Sequence, residues 1–165
     1  MFEVSFLNKK EKETVLPHLF DLLCENMSRI DPTGNTPAQD FQVWMDCIVP
    51  ALEQNEREIL LIKCDDRVAG YFQYSIKGAS FHMEEIQLDR AYWGSGAFTA
   101  LFRFLATVIP DNVTEVKANA SKKNLKSQAI LEHLGLHRIG ENKNKKSYCY
   151  IGNCKELLEK YRIRH

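Results

Sequence analysis

The chain has 165 residues, of which 44% are hydrophobic, 27% charged and 10% aromatic. That length suits one domain spanning 1–165 with its own core, and the composition excludes a disordered chain. Apolar runs such as Ile59–Ile62 are strand-sized, well short of the roughly 20 residues a membrane helix needs, so no membrane partner is expected.

The formal net charge is zero but unevenly spread. Residues 20–56 carry a net −6, residues 115–165 a net +7. The acidic stretch suits a cationic ligand and the basic one a phosphate-rich anion. The basic part holds no nucleic-acid-binding motif, so no nucleic-acid partner is expected. The N-terminus, Met1-Phe2-Glu3-Val4, shows no signal-peptide pattern, which makes the cytoplasm the expected location. The cysteines at 24, 47, 64, 149 and 154 are odd in number and form no C-x-x-C pair. Reduced thiols are expected, with neither a disulfide framework nor a metal site.

Phe2–Leu7 reads as a first strand. Residues 9–28 read as a helix with Val15, Leu16, Leu19, Leu22, Leu23 and Met27 on one stripe. After the turn-rich Asp31–Asn35, Thr36-Pro37-Ala38-Gln39 starts a second helix: Thr36 caps, Pro37 fits the first turn and Gln39 completes a capping box. Strands Ile59–Cys64 and Val68–Ile76 flank Asp65-Asp66-Arg67 as a hairpin. Ser80–Leu88 is a further strand and 96–109 a helix. Val113–Ala120 is a strand with Val116, Ala118 and Ala120 on one face. Residues 124–134 form a helix stopped by Gly135, and His137–Asn142 and Ser147–Ile151 a last hairpin. A charged helix over 154–162 ends the chain. The order implies an α/β fold with a mixed central sheet flanked by helices.

Three segments stand out. In Ser80–Leu88 the apolar residues are Phe81 and Met83, then Ile86 and Leu88. Side chains alternate with a period of two, so all four cannot share a face of a regular strand. One extra residue at Glu84-Glu85 repairs the phase, which predicts a β-bulge in this fourth strand. Next, Tyr92-Trp93-Gly94-Ser95-Gly96-Ala97-Phe98 joins that strand to a helix. Two glycines at a helix mouth let the backbone approach an anion, and the helix dipole favours phosphate there. Last, Asn124-Leu125-Lys126-Ser127 opens a helix that ends Leu134-Gly135-Leu136.

Together these segments resemble the GNAT (Gcn5-related N-acetyltransferase) superfamily. Met83–Leu88 is similar to its bulged fourth strand, Tyr92–Phe98 to its pyrophosphate loop and Asn124–Leu136 to its fourth helix. The resemblance implies transfer of an acetyl group from acetyl-CoA to a primary amine, carried by a small molecule or peptide, with a homodimer possible. The amine must lose a proton before it attacks, and Glu84 and Glu85 are the candidate bases. Amides near Ile86, Gln87 and Leu88 would hold the thioester oxygen. The backbone of Trp93, Gly94, Ser95, Gly96, Ala97 and Phe98 would hold the pyrophosphate. Asn124 would contact the CoA arm, with Lys122, Lys123 and Lys126 within reach of the phosphates.

Two departures bear on activity. Ala91 or Trp93, depending on the frame, replaces the loop's usual Gln or Arg. Leu131 stands where many members carry a thiolate-protonating tyrosine, which leaves Tyr148 or Tyr150 as the candidate acid. Both departures favour an alternative: a non-catalytic CoA-binding or interaction module on the same fold.

Overall fold

The computed structural model describes residues 1–162. Among them a seven-stranded mixed sheet has the order β1-β2-β3-β4-β5-β7-β6. Backbone contacts divide the chain into two compact units. The first comprises Met1–Gln73 and Glu85–Ser95, and the second comprises Tyr74–Glu84 and the chain from Gly96 onward.

In the first unit, β1 (Phe2–Phe6) pairs antiparallel with β2 (Glu58–Cys64), from Phe2 opposite Cys64 to Phe6 opposite Leu60. The helix expected from residue 9 begins later. Asn8 accepts a hydrogen bond from the Lys10 amide and opens a 3-10 turn, so α1 spans Lys12–Met27. α2 spans Pro37–Glu53 behind the expected capping box: Thr36 Oγ1 accepts from the Gln39 amide at 3.2 Å, and the Gln39 side chain accepts from the Thr36 amide at 2.9 Å. Leu16, Leu19 and Leu22 of α1, Ile48 and Leu52 of α2, Ile59 and Leu61 of β2, and Tyr71 form one core cluster. Asp65 (φ 50°) and Asp66 (φ 66°) both adopt left-handed conformations, as a two-residue hairpin turn requires, and lead into β3 (Arg67–Lys77).

In the second unit, the Ser80–Glu84 part of β4 (Ser80–Leu88) pairs in parallel with β5 (Glu115–Ser121), from Ser80/Glu115 to Met83/Ala118. β5 starts two residues after the expected Val113, whose amide closes a turn onto the Pro110 carbonyl. Val116, Ala118 and Ala120 are buried, as the alternation predicted. α3 (Ala97–Val108) buries Leu101, Phe102 and Leu105. α4 (Leu125–His133) is capped by Asn124. It ends at Gly135 (φ 94°), where the Leu136 amide bonds the Leu131 carbonyl at 3.0 Å, a Schellman closure. β6 (His137–Glu141) pairs with β7 (Ser147–Asn153), with a register shift between Arg138 and Gly140. α5 (Cys154–Glu159) stops short of the expected 162.

β4 carries the expected extra residue. The connection Gly78–Ala79 sets Lys77 opposite Ser80, and counting back from that turn places Ala69 opposite Leu88. The Ala69 carbonyl instead accepts from the amide of Asp89, one residue later, at 2.8 Å. The side chains agree. Tyr71 packs into the α1/α2 core, so Tyr74, three residues on, points to the other face, where its ring meets Phe81 with centroids 5.4 Å apart. Gln87 shares parity with Phe81, yet it bonds Asn26 of α1 on Tyr71's face. The pleat slips by one between Phe81 and Gln87, and pairing with β5 ends at Met83 in that interval.

Candidate active site

The slip aims both glutamates the same way. Glu84 shares a face with His82 by regular alternation. Glu85 shares one with Gln87, whose Nε2 donates to Glu85 Oε1 at 2.5 Å. Within the first unit, Glu85 and Gln87 lie on the face that carries Tyr71. Glu84 Oε1 is shielded from solvent. Burial, with a smaller contribution from the charge of Glu85 and then Cys24, pushes the Tyr71 hydroxyl well above the ordinary tyrosine value, so it stays protonated.

In the first unit, Asn26 closes this arrangement from the last turn of α1. It is only 8% exposed, and its Nδ2 donates at 3.0 Å to Gln87 Oε1 and at 3.0 Å to the Leu88 carbonyl. Trp93 Nε1 donates to the same carbonyl at 3.0 Å. Asn26 Oδ1 and the Tyr71 hydroxyl are buried without a hydrogen-bond partner among the described residues.

The loop after β4 is shaped by short-range contacts. Asp89 Oδ1 accepts from the Ala91 amide at 3.0 Å and starts a 3-10 turn over Arg90–Tyr92. The Arg90 guanidinium lies 5.4 Å from the centre of the Trp93 ring, and Ser95 Oγ donates to the Tyr92 carbonyl. Gly94 (φ 73°) and Gly96 (φ 92°) are left-handed, and among the described residues beyond the chain neighbours no atom lies within 4 Å of where a Cβ would stand on either. Gly96 is the N-cap of α3 and supplies no side-chain cap, so the first-turn amides of that helix are presented as donors. Ala97 is buried and Phe98 half-buried behind them. Glycine backbone, open space and helix amides suit an anion such as a pyrophosphate.

In the second unit, Asn124 spends its side-chain oxygen on the Ser127 amide at 3.0 Å. Lys122 pairs with Glu141 at 2.8 Å and lies 5.2 Å from the centre of the Tyr148 ring. Lys123 and Lys126 are exposed, and Leu131 is buried in α4. The Arg138 guanidinium stacks on Tyr148, 3.5 Å from its centre, and donates to Tyr150 Oη at 3.3 Å and Gln128 Oε1 at 3.4 Å. Tyr150 is buried and Tyr148 half-buried. His82 sits among Lys77 of β3, Lys117 and Glu115 of β5, and Glu84. Burial first, then the two lysines, lowers its pKa against the opposing pull of the two glutamates.

Sequence reasoning singled out the loop and the carboxylates but not Asn26, Tyr71 or Arg138. Asn26 did leave a signal. It lies four residues after Leu22 and seven after Leu19, a polar residue on an apolar stripe.

A family model described as the acetyltransferase (GNAT) family matches residues 16–136. The chain belongs to the GNAT acetyltransferase family. Solved structures share its fold. The PaiA N-acetyltransferase from Thermoplasma acidophilum, in complex with coenzyme A, aligns with a TM-score of 0.72 at 11% identity, over 93% of this chain and 99% of that one. An acetyltransferase from Thermus thermophilus gives 0.72 at 17% identity, over 93% and 97%. An aminoglycoside acetyltransferase in complex with coenzyme A and kanamycin gives 0.68 at 17%, over 97% and 98%. Comparison with curated protein sequences finds no match. Among the described residues no helix is long and apolar enough to cross a membrane, and no group of three or more His, Cys, Asp or Glu is gathered for a metal.

Proposed function

We propose that this GNAT protein moves the acetyl group of acetyl-CoA to a primary amine, with 1–165 acting as one acetyltransferase domain. The observation that carries the reading is the slipped pleat of β4, which turns Glu84 and Glu85 to one face immediately before a glycine turn and an uncapped helix N-terminus.

Acetyl-CoA supplies the activated acyl group. The amides of 94–98 hold its pyrophosphate by charge-assisted hydrogen bonds, strengthened by the dipole of α3. An amine with a pKa near 10 arrives protonated, and a carboxylate of β4 takes that proton. Glu85 is the better placed base, since Gln87 fixes its carboxylate. Amides in the Ile86–Leu88 stretch hold the carbonyl oxygen as charge develops on it. Leu131 has no proton to give, so Tyr148 is assigned to protonate the departing thiolate, with the Arg138 guanidinium stacked on its ring.

The neighbours in complex with coenzyme A support CoA as the ligand, and the neighbour in complex with kanamycin supports a small amine acceptor. The buried Leu131 favours the second reading, a CoA-binding module without turnover. Thiol release with a panel of amines, beside calorimetry with acetyl-CoA, separates them. Binding and turnover support the enzyme. Binding with no thiol release from any amine supports the module, and no binding removes both.

A further inference from the structure

We infer that Asn26 is a positioning residue for the proposed base: through Gln87 it sets which atom is presented to the Glu85 carboxylate. The inference rests on the acetyltransferase reading for its purpose, but its geometry stands alone. A side-chain amide can turn over and exchange its donor and acceptor ends, so its direction must be imposed by neighbours. Here a fixed group imposes it. The Leu88 carbonyl can only accept, so the Asn26 end facing it is the NH2 group, at 3.0 Å. The second proton of that NH2 goes to Gln87 at 3.0 Å, which obliges Gln87 to turn its oxygen toward Asn26. The Gln87 NH2 is then left facing Glu85 Oε1, at 2.5 Å. One backbone carbonyl thus dictates, through two amides, that the carboxylate meets a donor.

The placement supports a purpose beyond packing. Asn26 occupies an apolar stripe where leucine would bury more surface, and it leaves its own Oδ1 buried without a partner among the described residues. A buried unsatisfied acceptor is costly, so the residue is held there against packing preference. The chain is also buried over most of its length, with both Asn26 and Gln87 largely out of solvent, so water cannot readily replace either amide.

The test follows the Glu85 carboxylate by 13C NMR titration of the whole protein without ligand. Asn26→Asp keeps the shape but removes the NH2. Gln87 then turns over to donate to the new carboxylate and faces Glu85 with its oxygen. Gln87→Met removes the donor outright. Both variants should move the Glu85 titration to higher pH, the new carboxylate of Asn26→Asp adding its charge directly to the first shift, and the neutral Asn26→Leu/Gln87→Met double variant should move it no further than Gln87→Met alone, because both act along one chain. In turnover, the acid limb of kcat/KM should follow the same shift while KM for acetyl-CoA stays constant. A Glu85 titration that is unmoved in Asn26→Asp but shifted in Gln87→Met would overturn the role of Asn26, and additive shifts would overturn the single chain. Glu85→Gln tests the base assignment separately: retained turnover there removes Glu85 as base and leaves the NMR result to judge the tether.

Discussion

Trp93 donates its indole N–H to the carbonyl of Leu88 at 3.0 Å, so the loop after β4 is pinned to the last residue of the strand. Trp93 is 44% exposed, and its ring is large for a position with so little burial. Its polar atom is what fixes it. Trp93→Phe keeps a ring but loses that hydrogen bond, worth about 1 kcal/mol. We expect acetyl-CoA affinity to fall about fivefold in calorimetry with little change in Tm. An unaltered Kd would detach the pin from the ligand loop.

Gly96→Val should weaken acetyl-CoA binding at least tenfold, about 1.4 kcal/mol. Among the described residues beyond its chain neighbours, no atom lies within 4 Å of where the Cβ would stand, so the cause is conformational. At φ 92° a β-branched residue is strained, and relief of that strain rotates the first amides of α3 away from a bound phosphate. Titration calorimetry checks it, with circular dichroism to show that the domain remains folded.

Gly70→Ala acts by the opposite route. Its Cβ would stand 2.4 Å from the Gln87 carbonyl oxygen, a backbone atom that cannot swing aside. We expect a loss of about 1–3 kcal/mol in denaturant unfolding, the usual range for overpacking. A stability equal to wild type would mean that β3 and β4 separate locally at no cost.

His82 gives a pH signature. Its folded pKa is lowered, so below the unfolded value of about 6.5 the unfolded chain takes up this proton more readily than the folded one. The His82 contribution is therefore intact above that value, and stability declines as pH falls from there toward the folded pKa. In His82→Gln the fall in Tm between about pH 7 and pH 5 should be shallower than in wild type. Parallel curves would exclude the effect.

The acidic stretch 20–56 should attract a cationic amine, so the apparent KM for a good amine should rise with salt while kcat holds. Asp40 is the wrong residue to replace in testing this. It accepts from Thr33 Oγ1 at 2.6 Å and Asn35 Nδ2 at 3.2 Å and so shapes the loop before α2. Asp21→Asn with Glu25→Gln is the cleaner pair, and a KM unmoved at low salt would reduce the asymmetry to solvated surface.

What the sequence made legible was local. The capping box at Thr36, the glycine stop at 135, the Asp65-Asp66 turn and the phase slip in β4 each depend on a few adjacent residues, whose geometry is nearly decided by their chemistry. The late start of α1 was equally local but overlooked, because Asn8 caps a 3-10 turn inside what reads as continuous helix. The Asn26–Gln87 bond joins residues 61 apart, and no spacing rule relates them. The stacking of Arg138 on Tyr148 depends on β6/β7 register, which Ile139 shifts by one.

The extra residue in β4 also decides how this chain tolerates changes of length. Removing either Glu84 or Glu85 leaves one carboxylate and deletes no core side chain, so a substitution table would score it as mild. Its effect is one of parity. With a regular pleat, every residue after the deletion exchanges sides. Gln87 would turn away from Asn26, and Leu88 would trade its buried position for the opposite surface. Two residues removed together would restore the sides but shorten the strand by a full repeat, pulling the glycine turn back toward Met83. Single insertions and deletions between Met83 and Gln87 should therefore be more damaging than any point change there, whereas the Lys143–Lys146 hairpin tip, which belongs to the turn between β6 and β7 and to neither pleat, should absorb them.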